Sequence, residues 1–266
     1  MPDPRPLLTT SRSPSTRLLT FTKELRLLFP TATRLNRGKL ILPELGRACS
    51  ATGVTDVLVV HEHRGVPTAL TVAHLPHGPV VRFALANVIL RADIPRAKSG
   101  TGNDDDDDVG LGLGRVAESY PHLVFEGFSS APGSVGARIV QVIKHLFPPR
   151  DEPGGGSSSS TSGLGNRIIT FRNVDDVIHV RHHVFVQTSY KSVELAEVGP
   201  RLTMRPFEIR SGGSVVDTAA GAFTGGVGRG GGGGDAGNGG LIAGGDVEWQ
   251  LTQYTRTSAK RSYLGP

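Results

Sequence analysis

The chain has 266 residues, including 36 Gly, 18 Pro and a single cysteine, and a formal net charge of +5. One cysteine excludes a disulfide framework and suits a reducing, intracellular compartment. No apolar run approaches the roughly 18 residues that cross a bilayer, and the opening MPDPRPLLTTSR lacks an apolar signal core, so no membrane partner is expected.

Three tracts have the composition of surface insertions: KSGTGNDDDDDVGLGLG (98–114), DEPGGGSSSSTSGLG (151–165) and the glycine-rich 211–245. They hold too little apolar surface to offset their ordering entropy and are expected to be disordered. They leave roughly 200 residues of ordinary sequence, enough for a sizeable core. Asp104–Asp108 concentrate five negative charges, so the rest of the chain stands at +10. That surplus, mostly arginine, points to polyanion partners, nucleic acid first.

Along the chain, PLLTT (6–10) reads as a strand. A helix follows, with Ser13 as N-cap and Pro14 at its first position. Leu18, Phe21, Leu25 and Leu28 recur at helical spacing, and Pro30 ends it. ELGRACSAT (44–52) is a second helix that buries Cys49. VTDVLVV (54–60) is too uniformly apolar for a one-face strand and is expected to be covered on both sides. PTALTVAHL (67–75) and PVVRFALANVIL (79–90) complete a first half, about 6–97.

The second half, about 120–264, opens with the strand HLVFEG (122–127) and a helix ending at Pro148. NRIITF (166–171), VIHVRHHVFVQ (177–187), SVELAEVGPRLTMRPFEIR (192–210) and DVEWQLTQY supply the remaining strands. Residues 129–148 align without a gap on residues 11–30 at an offset of 118, so that Phe21 meets Ile139 and Leu28-Phe29-Pro30 meets Leu146-Phe147-Pro148. A second marker, HGPVVRF against VGPRLTM, recurs at an offset of 121. Two markers in the same order predict an internal duplication of about 120 residues. The fold class expected is an α/β sandwich of two similar halves, a mixed sheet with helices packed on it.

VVHEHRG (59–65) raises the question of a metal or acid/base site. On a strand His61 and His63 share a face and Glu62 opposes them. Zinc needs further converging ligands, and RHHVF (181–185) sends its adjacent histidines to opposite faces. The better reading is a solvated hairpin turn at Gly65, with Arg64 and protonatable histidines as donors for phosphate or acidic groups. Asp175-Asp176 reads as a turn. Neither a Walker loop nor a G-x-S-x-G elbow occurs, so no enzyme or cofactor is expected.

The cations best placed for phosphate contacts are Arg12 before the first helix, Arg34, Arg37 and Lys39 in TATRLNRGKL, Arg64, Lys191, Arg201, and Lys260 and Arg261 near the end. Contacts of this kind give affinity with little sequence reading, as in recognition of RNA duplexes and junctions. His179, Arg181, His183 and Phe185 alternate along one strand face. If that face lies outside the core, it could receive a protein segment.

TTSRSPSTRLLTFTKELRLLFP, RLNRG, GVTDVLVVHEHRG, HLPHGP, PHLVFEGFSS, ITFRN, RHHVF, VELAEVGPRL and DVEWQLTQYTRTSAKRSYL together resemble the Brix-domain family from about residue 7 to 264. The resemblance implies one Brix domain over 1–266, built of two halves similar to anticodon-binding modules. It implies a non-enzymatic factor of nucleolar ribosome assembly, in a branch that works with U3 small nucleolar RNA and pre-rRNA in the small-subunit processome. The partners implied are an M-phase phosphoprotein scaffold and a ribosomal-protein-like subunit of the same particle. That branch usually has a charged helical stretch ahead of the domain, whereas this sequence starts almost at the domain.

Overall fold

The computed structural model describes residues 3–94, 119–148, 164–189, 192–211, 246–251 and 262–265. In chain order the elements are β1 (Pro6–Thr10), α1 (Thr16–Arg26), β2 (Thr33–Arg34), α2 (Leu42–Ala51), β3 (Asp56–His63), β4 (Val66–His74), β5 (Val80–Ile89) and a 3₁₀ turn (Arg91–Asp93). They continue with β6 (Tyr120–Glu126), α3 (Val135–Lys144), β7 (Leu164–Val174), β8 (Val177–Ser189), β9 (Ser192–Glu197), β10 (Arg201–Arg210) and β11 (Val247–Gln250). The 98–114 tract and almost all of 151–165 and 211–245 lie outside the described residues. Leu164 and Gly165, expected in a disordered tract, belong to β7, and Ser211 donates its N–H to the Asp246 carbonyl at 2.9 Å.

Local chemistry sets the helix starts. Ser15 caps α1: its hydroxyl accepts from the Leu18 N–H at 3.2 Å. Ser13, the expected cap, has φ 51°, and a cap residue needs extended backbone. Pro14 therefore precedes the helix rather than opening it. Ser134 plays the same part for α3, accepting from the Ala137 N–H at 3.2 Å. The second helix starts earlier than its apolar pattern suggested, at Leu42, with the Glu44 carboxylate accepting from the Ile41 N–H.

The fold is mixed α/β. Among the described residues all strands join one 11-stranded sheet, whose main path is β2-β1-β3-β4-β5-β10-β8-β7-β6. In the first half β1 runs parallel to β3, and β3, β4 and β5 follow antiparallel. In the second half β6 runs parallel to β7, and β7, β8 and β10 follow antiparallel. The order and sense of these strands are thus the same read inward from either side. The halves meet where β5 pairs antiparallel with β10, with Leu85 opposite Met204 and Val81 opposite Ile209.

α1 and α3 cover one face of this sheet and share one core. Leu18, Phe21, Leu25 and Leu28 of α1 and its exit, and Ile139, Val142, Ile143 and Leu146 of α3 and its exit, belong to one buried cluster with Leu58, Phe83, Ile169 and Met204. Phe29 and Phe147, matched by the 118-residue offset, touch each other with ring centroids 5.2 Å apart. α2 lies on the opposite face of the first half, where Leu45 and Cys49 pack on Leu7, Val57, Val59, Ala73 and Val80. β3 is therefore buried on both faces, as its unbroken apolar run predicts. Burial pushes the Cys49 thiol up to about 11, so it is a packing residue.

One buried polar relay ties the halves together. Arg167 of β7 is 2% exposed. Its guanidinium donates to the Leu27 carbonyl at the end of α1, to the Ser119 carbonyl at 3.0 Å and to His182 Nε2 at 3.1 Å. Accepting at Nε2 leaves the His182 proton on Nδ1, which donates to the Gly199 carbonyl at 2.8 Å. The carbonyl at the α1 C-terminus is a favourable site for a cation. Arg167→Ala strands these buried acceptors. It is expected to lower unfolding free energy by about 3–5 kcal/mol, read by urea denaturation, whereas Arg172→Ala on the exposed face changes it by less than about 1 kcal/mol.

Candidate nucleic-acid interface

The H-E-H stretch ends β3 and enters a two-residue turn. Arg64 and Gly65 have φ 50° and 79°, the paired left-handed backbone of a tight hairpin, and a glycine at the second position meets that demand without strain. The register shifts between His61 and Glu62. Glu62 then reaches α1: its carboxylate accepts from the Ser15 N–H at 2.8 Å and the Ser15 hydroxyl at 2.5 Å. The helix N-terminus that could take a phosphate is held by this protein carboxylate.

His61 is not the protonatable donor expected from its sequence position. Its Nε2 lies 3.1 Å from the Thr71 hydroxyl. Burial first, then the Arg82 and Arg37 guanidinium charges, lowers its pKa to about 4. The ring is neutral at physiological pH. His63 and Arg64 stay exposed at the tip. Among the described residues no three His, Cys, Asp or Glu side chains converge as metal ligands do.

β1 and β3 end side by side, Thr10 opposite Val60, and the Ser11 N–H donates to the Val60 carbonyl. β2 runs parallel to β1, so the loop after it leaves from the same end of the sheet. This end gathers Arg12, Arg34, Arg37, Lys39 and Arg64. Arg12, Lys39 and Arg64 are exposed and Arg34 is half-buried. Arg37 is only 8% exposed, and its Nε donates to the Leu40 carbonyl at 2.9 Å. Burial and the neighbouring Arg12 charge lower its pKa. It shapes the loop and adds field, while Arg12, Lys39 and Arg64 present charge to solvent. Arg17, exposed in the first turn of α1, adds to the same end and was not singled out from the sequence.

Arg201 differs from these. Its guanidinium holds Glu197 in a two-point pair at 2.9 and 2.5 Å. Arg181 approaches the same carboxylate at 3.8 Å. The Arg201 hydrogen bond, more than the nearby charges, keeps the Glu197 pKa low. Arg201, expected among the phosphate contacts, therefore joins Arg181 and His183 in a cluster where the single Glu197 carboxylate offsets one of two guanidinium charges. Lys191, Lys260 and Arg261 lie outside the described residues.

His179, Arg181, His183 and Phe185 do face away from the core. Their neighbours Ile178, Val180 and His182 are the buried ones, at 0%, 2% and 0% exposure. Asp175 and Asp176 form the expected turn, with φ 51° and 62°. Asp176 also does something the sequence did not show. Its carboxylate accepts from the Ser262 hydroxyl at 2.8 Å and from the N–H groups of Tyr263 and Leu264 at 3.0 and 2.9 Å. Leu264 is thereby seated fully buried beside α3.

The class these features define is an arginine-edged, mixed α/β sheet protein with helices packed on its sheet. Residues 11–208 match the Brix domain model, and the chain belongs to the Brix-domain family. It is 42% identical over 265 residues to the U3 small nucleolar ribonucleoprotein protein IMP4 of Saccharomyces cerevisiae, covering 98% of this chain and 71% of that protein. The protein of the same name from Homo sapiens is 41% identical over 263 residues, with the same coverage. A crystal structure of a probable ribosomal biogenesis protein from Aeropyrum pernix K1 aligns over 76% of this chain and 96% of its own, at 23% identity and a TM-score of 0.47.

The depressed His61 and His182 pKa values give stability a definite pH dependence. Both rings sit at about 4 in the folded chain, chiefly through burial. The unfolded chain binds their protons at higher pH, near the ordinary histidine value of about 6.5. The contribution is complete above that value and is lost as pH falls from about 6.5 towards 4. Urea denaturation at pH 7.5 and pH 5 should show a loss of about 1–3 kcal/mol. His61→Gln, which keeps a partner for Thr71, should reduce that loss.

Proposed function

We propose that this chain is a non-catalytic ribosome-biogenesis factor of the U3 small nucleolar ribonucleoprotein, working in the nucleolus on small-subunit pre-rRNA. The observation that supports this best is the convergence of Arg12, Arg34, Arg37, Lys39 and Arg64, separate in sequence, at the one sheet end where β1 and β3 finish. Phosphates are the natural counter-ions of such a rim, and contacts to them need no base reading. U3 small nucleolar RNA is the RNA the relatives' names point to, and pre-rRNA is the second RNA proposed. Charges held on a rigid sheet end suit gripping a backbone while its bases pair elsewhere.

A second reading is favoured by the outward face of β8. There Glu197 offsets one of the two charges of Arg181 and Arg201, and Phe185 is half-buried on the same face, a mixture suited to a protein segment. An M-phase phosphoprotein scaffold and a ribosomal-protein-like subunit of the same particle are the partners proposed there. The two readings use different surfaces and are compatible.

Binding of a labelled RNA hairpin, titrated across salt, tests the first reading. Arg12→Ala, Lys39→Ala and Arg64→Ala together should weaken binding and reduce the magnitude of the log–log salt slope by about 2 to 3, with thermal unfolding unchanged. An unchanged slope and affinity would overturn the assignment of this end to RNA.

A further inference from the structure

Ser13 is left without the role its place in the sequence suggests. The cap of α1 belongs to Ser15, whose N–H and hydroxyl also donate to the Glu62 carboxylate. Ser13 is exposed in the loop between β1 and α1 and stands in left-handed backbone, with φ 51°. That conformation is uncommon for serine. It is least expected directly before a proline, whose ring pushes the residue ahead of it towards extended backbone. The cap gains nothing from it, because the capping hydrogen bonds run through Ser15.

The sequence at this point is also singular. Of the 18 prolines in the chain, only Pro14 follows a serine or threonine. An exposed serine with proline directly after it is the acceptor that proline-directed protein kinases require. The neighbouring hydroxyls are poorer acceptors. Ser11 is half-buried, with its N–H on the Val60 carbonyl. Ser15 is half-buried, and its hydroxyl is engaged by Glu62 and by the Leu18 N–H. At the 118-residue offset the second half carries Ala131 where the first has Ser13, so the feature belongs to one half only.

The surroundings give a phosphate on Ser13 a definite effect. Arg12 precedes it, Arg17 follows in the first turn of α1, and both are exposed. They stand at the sheet end that also gathers Lys39 and Arg64. A phosphoserine carries a charge of about −1.5 to −2 at pH 7, and its oxygens pair well with guanidinium groups. The N-terminus of α1 is already held by the Glu62 carboxylate, which leaves the arginines as partners for the new phosphate. It offsets about two of the rim's positive charges and repels phosphates arriving from outside.

We propose that Ser13 is a phosphorylation site whose phosphate turns the cationic rim off. A proline-directed serine kinase transfers the γ-phosphoryl group of ATP to the Ser13 hydroxyl oxygen. The new O–P bond replaces the bond to ADP, which leaves, and the hydroxyl proton passes to a base of the kinase. The unmodified chain grips RNA phosphates and the modified chain releases them. The effect on RNA rests on the reading of this rim as an RNA surface, whereas the modification itself does not.

The test incubates the full chain with a purified cyclin-dependent kinase and ATP, and maps phosphopeptides by mass spectrometry. Ser13 should be modified close to completion. The modified chain should bind the labelled RNA hairpin at least tenfold more weakly, with the magnitude of its log–log salt slope reduced by about 1 to 2. Phosphatase treatment should restore both. Ser13→Asn keeps a residue that tolerates left-handed backbone and removes the acceptor hydroxyl. After the same kinase treatment that variant should bind RNA as the untreated chain does. An unmodified Ser13, a modified Ser13 with unchanged RNA affinity, or an equal loss in treated Ser13→Asn would overturn the inference. The RNA reading fails separately, in the salt titration of the Arg12, Lys39 and Arg64 variants, and the mapping of Ser13 is read without RNA.

Discussion

The antiparallel pairing of β5 with β10 is the constraint on which the rest depends. It joins β1-β3-β4-β5 to β6-β7-β8-β10 at their inner edges, so neither half has a free edge where they meet. Because facing residues in a ladder share a side, Val81 and Leu85 fall on the same face as Ile209 and Met204. That face is where both α1 and α3 pack, and it makes one core out of two. Phe29 against Phe147 and the Arg167 guanidinium on the Leu27 carbonyl are further contacts across the same join. We read the halves as copies of one unit, because strand order and sense agree on both sides of this seam.

Matching strand order does not make the two halves alike. The first half spends residues 31–52 on covering its own edge and outer face, and the loop between β2 and α2 presents the cationic rim. The second half has a polar stretch at the corresponding place, and among the described residues no helix crosses its outer face. The divergence follows from side-chain chemistry on the equivalent strands. Val57, Val59 and Ala73 call for a covering helix, whereas Thr170, Arg172, His179 and Arg181 tolerate water. The two halves thus present different surfaces, a cationic rim and a mixed outer strand face, held in fixed relation by the shared core.

Much of this was legible in the sequence. The helical stripe at Leu18, Phe21, Leu25 and Leu28, the uniformly apolar β3 and the recurring L-F-P ends follow from periodicity, and periodicity is what packing reads. The cluster of Arg34, Arg37 and Lys39 was legible in TATRLNRGKL, whereas its meeting with Arg12 and Arg64 at one sheet end depends on β1, β2 and β3 lying side by side. The failures share a cause: they depend on partners distant in the chain. Ser13 lost the cap to Ser15 because Glu62, 47 residues away, fixes Ser15 in place. His61 is neutral because Arg37 and Arg82 surround a buried ring. Arg201 is taken by Glu197, only four residues earlier, yet that pairing needs the turn at Gly199-Pro200. The buried Arg167 and the Asp176 clamp on Leu264 had no local signature at all, since arginine and aspartate are surface residues by default.

Hydrogen exchange on the full chain in increasing urea tests the central claim most directly. If one seam and one core unite the halves, the amides of β5, β10, α1 and α3 exchange last and lose protection together, in a single transition with a common dependence on urea. Protection that persists in β1, β3 and α1 after β6, β7 and α3 have opened, or the reverse, would show two independent units and contradict it.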